Sequence, residues 1–295
     1  MKQRAITAVF FVLAMLAGIY GGKVPFFLLC LTIVCGALWE LMHLLLPAAQ
    51  QSLTQRGVGL LLGAVPFALF GWQVVVKSPD GDAVWPIKTM QDGLLKLAMA
   101  QTMLYLFAFV ILAFFLLLLS ELFQYSQNAF HKIGHYLVGF FYVSVPFIAL
   151  ASIATEGGRY CPNRVLGLLL LTWTNDTMAY VVGSKIGKNK ILARISPGKT
   201  WEGTIGGMLC TIAMGGLLAL VFPNDFSSQE WLVFGAIVGL LGTPGDLVES
   251  MLKRTAGVKD SGNLLPGHGG LLDRFDAFIF VLPFVWLALM WLRWG

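Results

Sequence analysis

This sequence predicts an all-α, polytopic integral membrane protein on three observations. Only 12% of its 295 residues are charged while 57% are hydrophobic, against roughly 25% charged residues in a soluble domain. Apolar runs close to the length of about 20 residues that carries a helix across the hydrocarbon layer recur nine times along the chain. Glycine and charge gather in the connections, most densely from Ser250 to Asp276.

The first run, near Ala5 to Tyr20, follows the basic start Met1-Lys2-Gln3-Arg4; a secretory signal has that shape, but eight further runs favour a retained helix. Runs near Val24 to Leu46, Gly57 to Val76 and Leu94 to Leu119 come next, the last long enough to tilt or to extend beyond the bilayer. Gly134 to Ile153 follows, and then Val165 to Val182, Gly203 to Phe222, Trp231 to Val248 and Ala277 to Leu292. The polar motifs fall late in the chain. Residues 1–164 therefore read as N-terminal membrane helices and residues 165–295 as the region that carries the chemistry, the two forming one integrated membrane domain. Glu40 lies inside the second run, either structural or lining a cavity.

Lys and Arg set the orientation. With the N-terminus in the cytoplasm, that side collects Lys185, Lys188, Lys190, Arg194, Lys199, Lys253, Arg254, Lys259 and Arg274, among others, while Lys23, Lys77, Lys88, Arg159, Arg164 and Arg293 lie opposite. Both motif-bearing loops then face the cytoplasm, and Ser78 to Asp82 is an external connector. The net charge of +5 fits basic loops meeting anionic headgroups; no basic arm or aromatic-interleaved stripe supports nucleic-acid binding. Cys30, Cys35, Cys161 and Cys210 form no Cys-x-x-Cys pair, so neither a zinc site nor a disulfide framework is supported.

Between Ser250 and Asp276, Lys253, Arg254, Lys259 and Arg274 suit a polyanion, and Asp260, Asp273 and Asp276 suit a hard cation. Gly267, Gly269 and Gly270 let backbone approach a phosphate. The set describes phosphate chemistry at a membrane. Asp246, Glu249, Ser250 and Lys253 stand at i, i+3, i+4 and i+7 and share one face if the eighth helix continues through them. A solvated helix end with an i,i+4 Glu249–Lys253 pair is the alternative. Asp273 and Asp276, one turn apart, offer a second acidic face. Magnesium binds through one or two carboxylates plus substrate phosphates, and carboxylates clustered opposite a phosphate loop meet that need.

Asp176, with Thr174, Asn175 and Thr177 beside it, lies inside an apolar run, where an ionised aspartate costs roughly 2.5–3.5 kcal/mol. It reads as part of a polar pocket serving metal, nucleotide or structural hydrogen bonding. Gly198-Lys199-Thr200 looks like the end of a P-loop, but that motif needs a preceding strand and a glycine at 193, where alanine stands, so it is rejected. Ser196, Lys199 and Thr200 remain phosphate donors at the start of the seventh helix. His268 suits a general acid, a phosphate donor or a loop-ordering residue. His131 and His135 enclose Lys132 where a metalloprotease helix needs Glu.

Taken together, the blocks resemble the phosphatidate cytidylyltransferase (CDP-diacylglycerol synthase) family. They are Ser250, Lys253-Arg254, Lys259-Asp260, Gly262, Pro266, His268-Gly269-Gly270 and Asp273-Arg274-x-Asp276, preceded by Asp176-x-x-Ala179-Tyr180-x-x-Gly183 and Ser196-Pro197-Gly198-Lys199-Thr200-Trp201-Glu202-Gly203. The likeness is specific over about residues 172–280 and architectural before them. It implies transfer of a cytidylyl group from CTP to phosphatidate, with Mg2+ at Asp246, Asp273 and Asp276 and a second cation left open. It extends site roles to Lys253, Arg254, Lys259, Asp260, His268 and Arg274, and binding roles to Asp176, Ser196, Lys199, Thr200, Glu202, Gly269 and Gly270. Gly198 stands where the family block often has lysine, so one positive charge is missing there.

The resulting expectation is an enzyme of a bacterial inner membrane, working among membrane lipids with its active site facing the cytoplasm. Its oligomeric state stays open, a homodimer included. Two other classes use similar residues, a CTP-dependent lipid or prenol kinase and a transporter of a phosphorylated metabolite. Missing repeat symmetry and one-sided polar clustering count against the transporter.

Overall fold

The structure, a computed structural model, describes residues 2–46, 53–76, 90–124, 128–156, 159–262, 264 and 269–294. They form ten helices: α1 (Lys2–Tyr20), α2 (Lys23–Leu45), α3 (Leu53–Gly71), α4 (Met90–Gln124), α5 (Ala129–Gly139), α6 (Val145–Thr155), α7 (Pro162–Ile186), α8 (Trp201–Val221), α9 (Ser228–Thr255) and α10 (Leu272–Trp294). Among the described residues no strand forms, and an isolated bridge joins Lys190 and Thr200. Each apolar run of the sequence lies on helix. Seven spans among the described residues are long and apolar enough to cross a membrane: Lys23–Leu45, Leu53–Val76, Ala129–Thr155, Pro162–Ile186, Trp201–Val221, Ser228–Thr255 and Leu272–Arg293. The first and fourth runs contribute the shorter apolar stretches Thr7–Tyr20 and Phe107–Phe123. The connector expected from Ser78 to Asp82 lies outside the described residues.

The chain forms two compact units, the first comprising Met1–Tyr160 and Ser261–Leu272. In it, α2 buries Phe26, Phe27, Val34, Leu38 and Leu41. Phe27 stacks on Phe67 of α3 at 6.0 Å, and Phe67 meets Phe147 of α6 edge-on at 6.2 Å, the geometries that ring quadrupoles favour. A π-helical turn at Phe140–Ser144 joins α5 and α6 into a single span. Pro146 has no N–H for the carbonyl four residues back, and the widened turn absorbs that loss. Lys132 of α5 and Glu121 of α4, both buried, pair at 3.2 Å, so neither charge is left uncompensated.

Cys161–Asp260 and Asp273–Gly295 make the second unit. Its helices meet through small residues. A Cβ on Gly207 of α8 would sit 3.0 Å from the Asn175 carbonyl oxygen of α7, and one on Gly235 of α9 would sit 2.9 Å from the Thr211 carbonyl oxygen of α8. Lipid offers no hydrophobic drive for helix association, so close backbone approach supplies the contact instead. At one end of the unit Trp231 is fully buried, Arg164 lies 4.8 Å over the Phe226 ring, and Arg293 pairs with Glu230 at 2.6 Å. Glu230 also closes a capping box with Ser227, which fixes where α9 starts. At the other end α9 continues to Thr255, well past the apolar run that stops near Val248. That extension places Glu249, Ser250 and Lys253 on a helix.

Candidate active site

Gly245 brings α9 against α10: a Cβ there would sit 2.7 Å from the Phe280 Cβ and 3.1 Å from the Ala277 Cα. The close approach sets Asp246 of α9 beside Asp276 of α10. Glu249, one turn after Asp246, completes a group in which one carboxylate oxygen from each residue lies within 4.8 Å of the other two. Glu249 is fully buried and the two aspartates partly so. Three like charges this close repel strongly in a partly dry setting, so the group favours a cation.

Two lysines already approach it. Lys199 pairs with Asp246 and donates to the Thr243 carbonyl at 3.3 Å. Lys253 pairs with Glu249 one turn before it and with Asp273 of α10 at 2.6 Å. Asp273, expected from the sequence as a metal ligand with Asp246 and Asp276, pairs with Lys253 and also lies within side-chain hydrogen-bond reach of Glu249, a further acid beside the expected three. The i,i+3 spacing of Asp246 and Glu249 was the signal in the sequence for Glu249. Ser250 donates its hydroxyl to Asp246 at 3.2 Å, and Asp276 accepts the Ala277 amide at 2.7 Å.

Lys199 is delivered by a short finger between α7 and α8. Within it the Trp201 amide donates to the Asn189 carbonyl at 2.9 Å and the Ile191 amide to the Lys199 carbonyl at 3.2 Å. Glu202 ties the base of the finger by accepting the Lys188 amide at 3.1 Å and the Asn189 side-chain amide at 2.7 Å. This carboxylate orders the loop. Thr200 caps α8, its hydroxyl accepting the Gly203 amide at 3.2 Å. Ser196 sits in the turn before Lys199, its amide donating to the Leu192 carbonyl at 2.9 Å.

A cavity of about 290 Å³ lies here, lined by Asp176, Tyr180, Gly183, Ser184, Lys199, Thr200, Thr204, Thr243 and Asp246. Asp176 of α7 faces Asp246 and Lys199 as its charged neighbours. Ser184, Thr204 and Thr243 were not singled out from the sequence, because an isolated hydroxyl in an apolar run marks no site. Thr204 donates to Thr243 at 3.3 Å and links α8 to α9 across the wall.

Arg254 donates to the Val258 carbonyl at 3.0 Å and closes the turn after α9, Lys259 and Asp260 are exposed beyond it, and Arg274 is exposed in the first turn of α10. In the first unit, Gly269 holds φ at +83°, where a side chain is disfavoured, and Gly270 lies against Ser261 and Glu40. His268 is outside the described residues.

In the second unit, therefore, carboxylates suited to a hard cation and lysines suited to phosphate oxygens share one end of helices that cross a membrane. The Cytidylyltransferase family model matches residues 2–292 of the chain. A phosphatidate cytidylyltransferase of Bacillus subtilis (strain 168) is 32% identical over 291 residues, covering 98% of this chain and 97% of that protein. Phosphatidate cytidylyltransferases of Staphylococcus aureus (strain COL) and Staphylococcus saprophyticus are each 40% identical over 178 residues, covering 60% of this chain. The match spans 66% of the length of these staphylococcal relatives.

Proposed function

The chain belongs to the cytidylyltransferase family, and from that premise we propose that it transfers the cytidylyl group of CTP to phosphatidate. A phosphate oxygen of phosphatidate bonds to the α-phosphorus while the bond from that phosphorus to the β-bridging oxygen breaks. Pyrophosphate leaves, and CDP-diacylglycerol stays in the bilayer. The observation that carries this reading is the Asp246–Glu249–Asp276 group next to Lys199 and Lys253, on helices long and apolar enough to span. A soluble nucleotide needs the charges, and a lipid phosphate needs them at membrane depth.

The attacking oxygen is already ionised at neutral pH, so the site needs no strong general base. Positioning and charge neutralisation supply the catalysis. Lys199 and Lys253, each held in place by acidic partners, offer positive charge to phosphate oxygens. Asp176 and the hydroxyls of Thr204 and Thr243 shape the cavity that would receive the nucleotide. Arg254, Lys259 and Arg274 supply further positive charge for nucleotide or lipid phosphate. Three carboxylates with mutually close oxygens fit a magnesium ion, and Asp246, Glu249 and Asp276 would hold it. When bound, it supplies Lewis-acid polarisation of the phosphoryl group and neutralises charge on the leaving pyrophosphate. The Lys and Arg distribution supports a cytoplasmic site, and the bacterial relatives support an inner membrane.

Purified protein in detergent, given magnesium, CTP and phosphatidate, is expected to move label from the α-phosphate of CTP into lipid and label from the γ-phosphate into pyrophosphate. Entry of γ-label into lipid would establish the kinase instead. Absence of lipid product from folded protein, with substrate-dependent flux in sealed vesicles, would establish the transporter.

A further inference from the structure

We propose that the finger between α7 and α8, together with the last turn of α7, is an interaction surface for anionic lipid headgroups, engaged through Lys185, Lys188, Lys190 and Arg194. Both helices that the finger joins, Pro162–Ile186 and Trp201–Val221, are long and apolar enough to cross a membrane. A short connection that ends one such span and starts the next stays at a membrane face. It is also folded back on itself. The Lys190–Thr200 bridge and the Trp201 amide on the Asn189 carbonyl at 2.9 Å pin it to the two helix ends, and a turn in which the Ile195 and Ser196 amides donate to the Leu192 carbonyl closes its tip.

The charge on this segment is of one sign. Between Asp176 and Glu202 the sequence holds five basic residues and no acid. Lys199 pairs with Asp246, and the Glu202 carboxylate is taken up by the amides of Lys188 and Asn189. Lys185, Lys188, Lys190 and Arg194 are left exposed, with no ion pair among the described residues. Ile186 and Leu192 stand exposed among them, and exposed Trp201 follows at the start of α8. A nucleotide would use the charge alone. A headgroup layer also receives the apolar side chains, and tryptophan favours that depth. A basic cluster beside a membrane helix gains from the negative surface potential of a bilayer, about fivefold in affinity per Lys or Arg, within a Debye length of the surface. The same segment ends in Lys199, so lipid contact steadies the chain that carries a lysine to the cavity.

The test places the full chain in vesicles of phosphatidylcholine, alone or mixed with phosphatidylglycerol, and reads amide hydrogen exchange across residues 184–199 with no CTP and no phosphatidate present. Phosphatidylglycerol is expected to slow exchange there at least about fivefold, the scale of one basic contact, and to leave α9 unchanged. Salt at about 1 M, where the Debye length is about 3 Å, should remove the difference. Lys185→Gln, Lys188→Gln, Lys190→Gln and Arg194→Gln combined should remove it as well, whereas Lys185→Arg, Lys188→Arg and Lys190→Arg combined should keep it. Should the fourfold variant not insert, Lys188→Gln with Lys190→Gln is expected to remove about half of it. Parallel samples in phosphatidylcholine receive CTP or phosphatidate instead of phosphatidylglycerol. Equal exchange with and without phosphatidylglycerol would overturn the proposal and leave the four charges as topology signals. Protection by CTP or phosphatidate but not by phosphatidylglycerol would overturn it too, and would assign the finger to a substrate. The measurement needs no turnover, so failure of the transferase reading would leave its result standing.

Discussion

Glu40 and the Asp246–Glu249–Asp276 group are acids within membrane-spanning helices, satisfied in opposite ways. Around Glu40 the chain converges three donors on one carboxylate. In the other group, oxygens of three carboxylates converge on one another, with lysines at the margin. Both arrangements repay the cost of an acid in lipid, and the difference lies in who supplies the positive partner. A carboxylate met by its own backbone is part of the architecture. Carboxylates gathered on each other ask for something that arrives with the substrate.

The largest separation between the two is expected from a single amide replacement. Asp276→Asn should lower kcat by about 10²–10³, the scale for loss of one electrostatic contact to a transition state, while its melting temperature in detergent holds or rises as crowding is relieved. Glu40→Gln should lower melting temperature, because it turns an NH2 toward groups that donate to the carboxylate. Near-normal turnover in Asp276→Asn would remove that residue from the site and erase the contrast.

Lys253 gives the next effect. Its removal in Lys253→Met leaves Glu249, whose side chain is 0% exposed, without its paired lysine, and breaking such a pair costs about 3–5 kcal/mol. Adding Glu249→Gln should restore most of the lost stability in a denaturation series and none of the activity. Recovery of both would make the pair structural, like Glu40. Smaller again is Gly207→Ala, whose Cβ meets α7 at 3.0 Å; overpacking of this kind costs about 1–3 kcal/mol, read as a lower melting temperature. Glu202→Gln should do least, raising KM for CTP slightly with kcat unchanged, because its exposed carboxylate only steadies the finger that carries Lys199. A large fall in kcat there would move Glu202 into the reaction itself.

Much of this was legible in the sequence where the information is local. The Val24 to Leu46 run became α2, Lys23–Leu45, almost residue for residue, because lipid demands continuous apolar helix. The shared face of Asp246, Glu249 and Lys253 followed from helical spacing, and their ion pairing keeps that face in use. Two features escaped because their cause is distant. Glu40 finds Ser261 at a separation of 221 residues, and no periodicity in α2 reports a loop so far along the chain. Asp273 and Asp276 looked equivalent one turn apart, yet Asp273 pairs with Lys253 beside Glu249 while Asp276 meets both Asp246 and Glu249.

The pairing of Glu249 with a lysine on its own helix also bears on how the protein is made. During synthesis α9 leaves the ribosome before α10, so Asp273 and Asp276 have yet to reach the membrane when α9 meets it. At that moment Lys253, one turn away, is the counter-charge Glu249 already carries. Insertion of an acidic helix centre is penalised residue by residue, and a neutral couple near the helix end lowers that barrier. α9 can therefore enter the bilayer with its glutamate balanced, and the full set of acids is assembled only when the following helix brings Asp276.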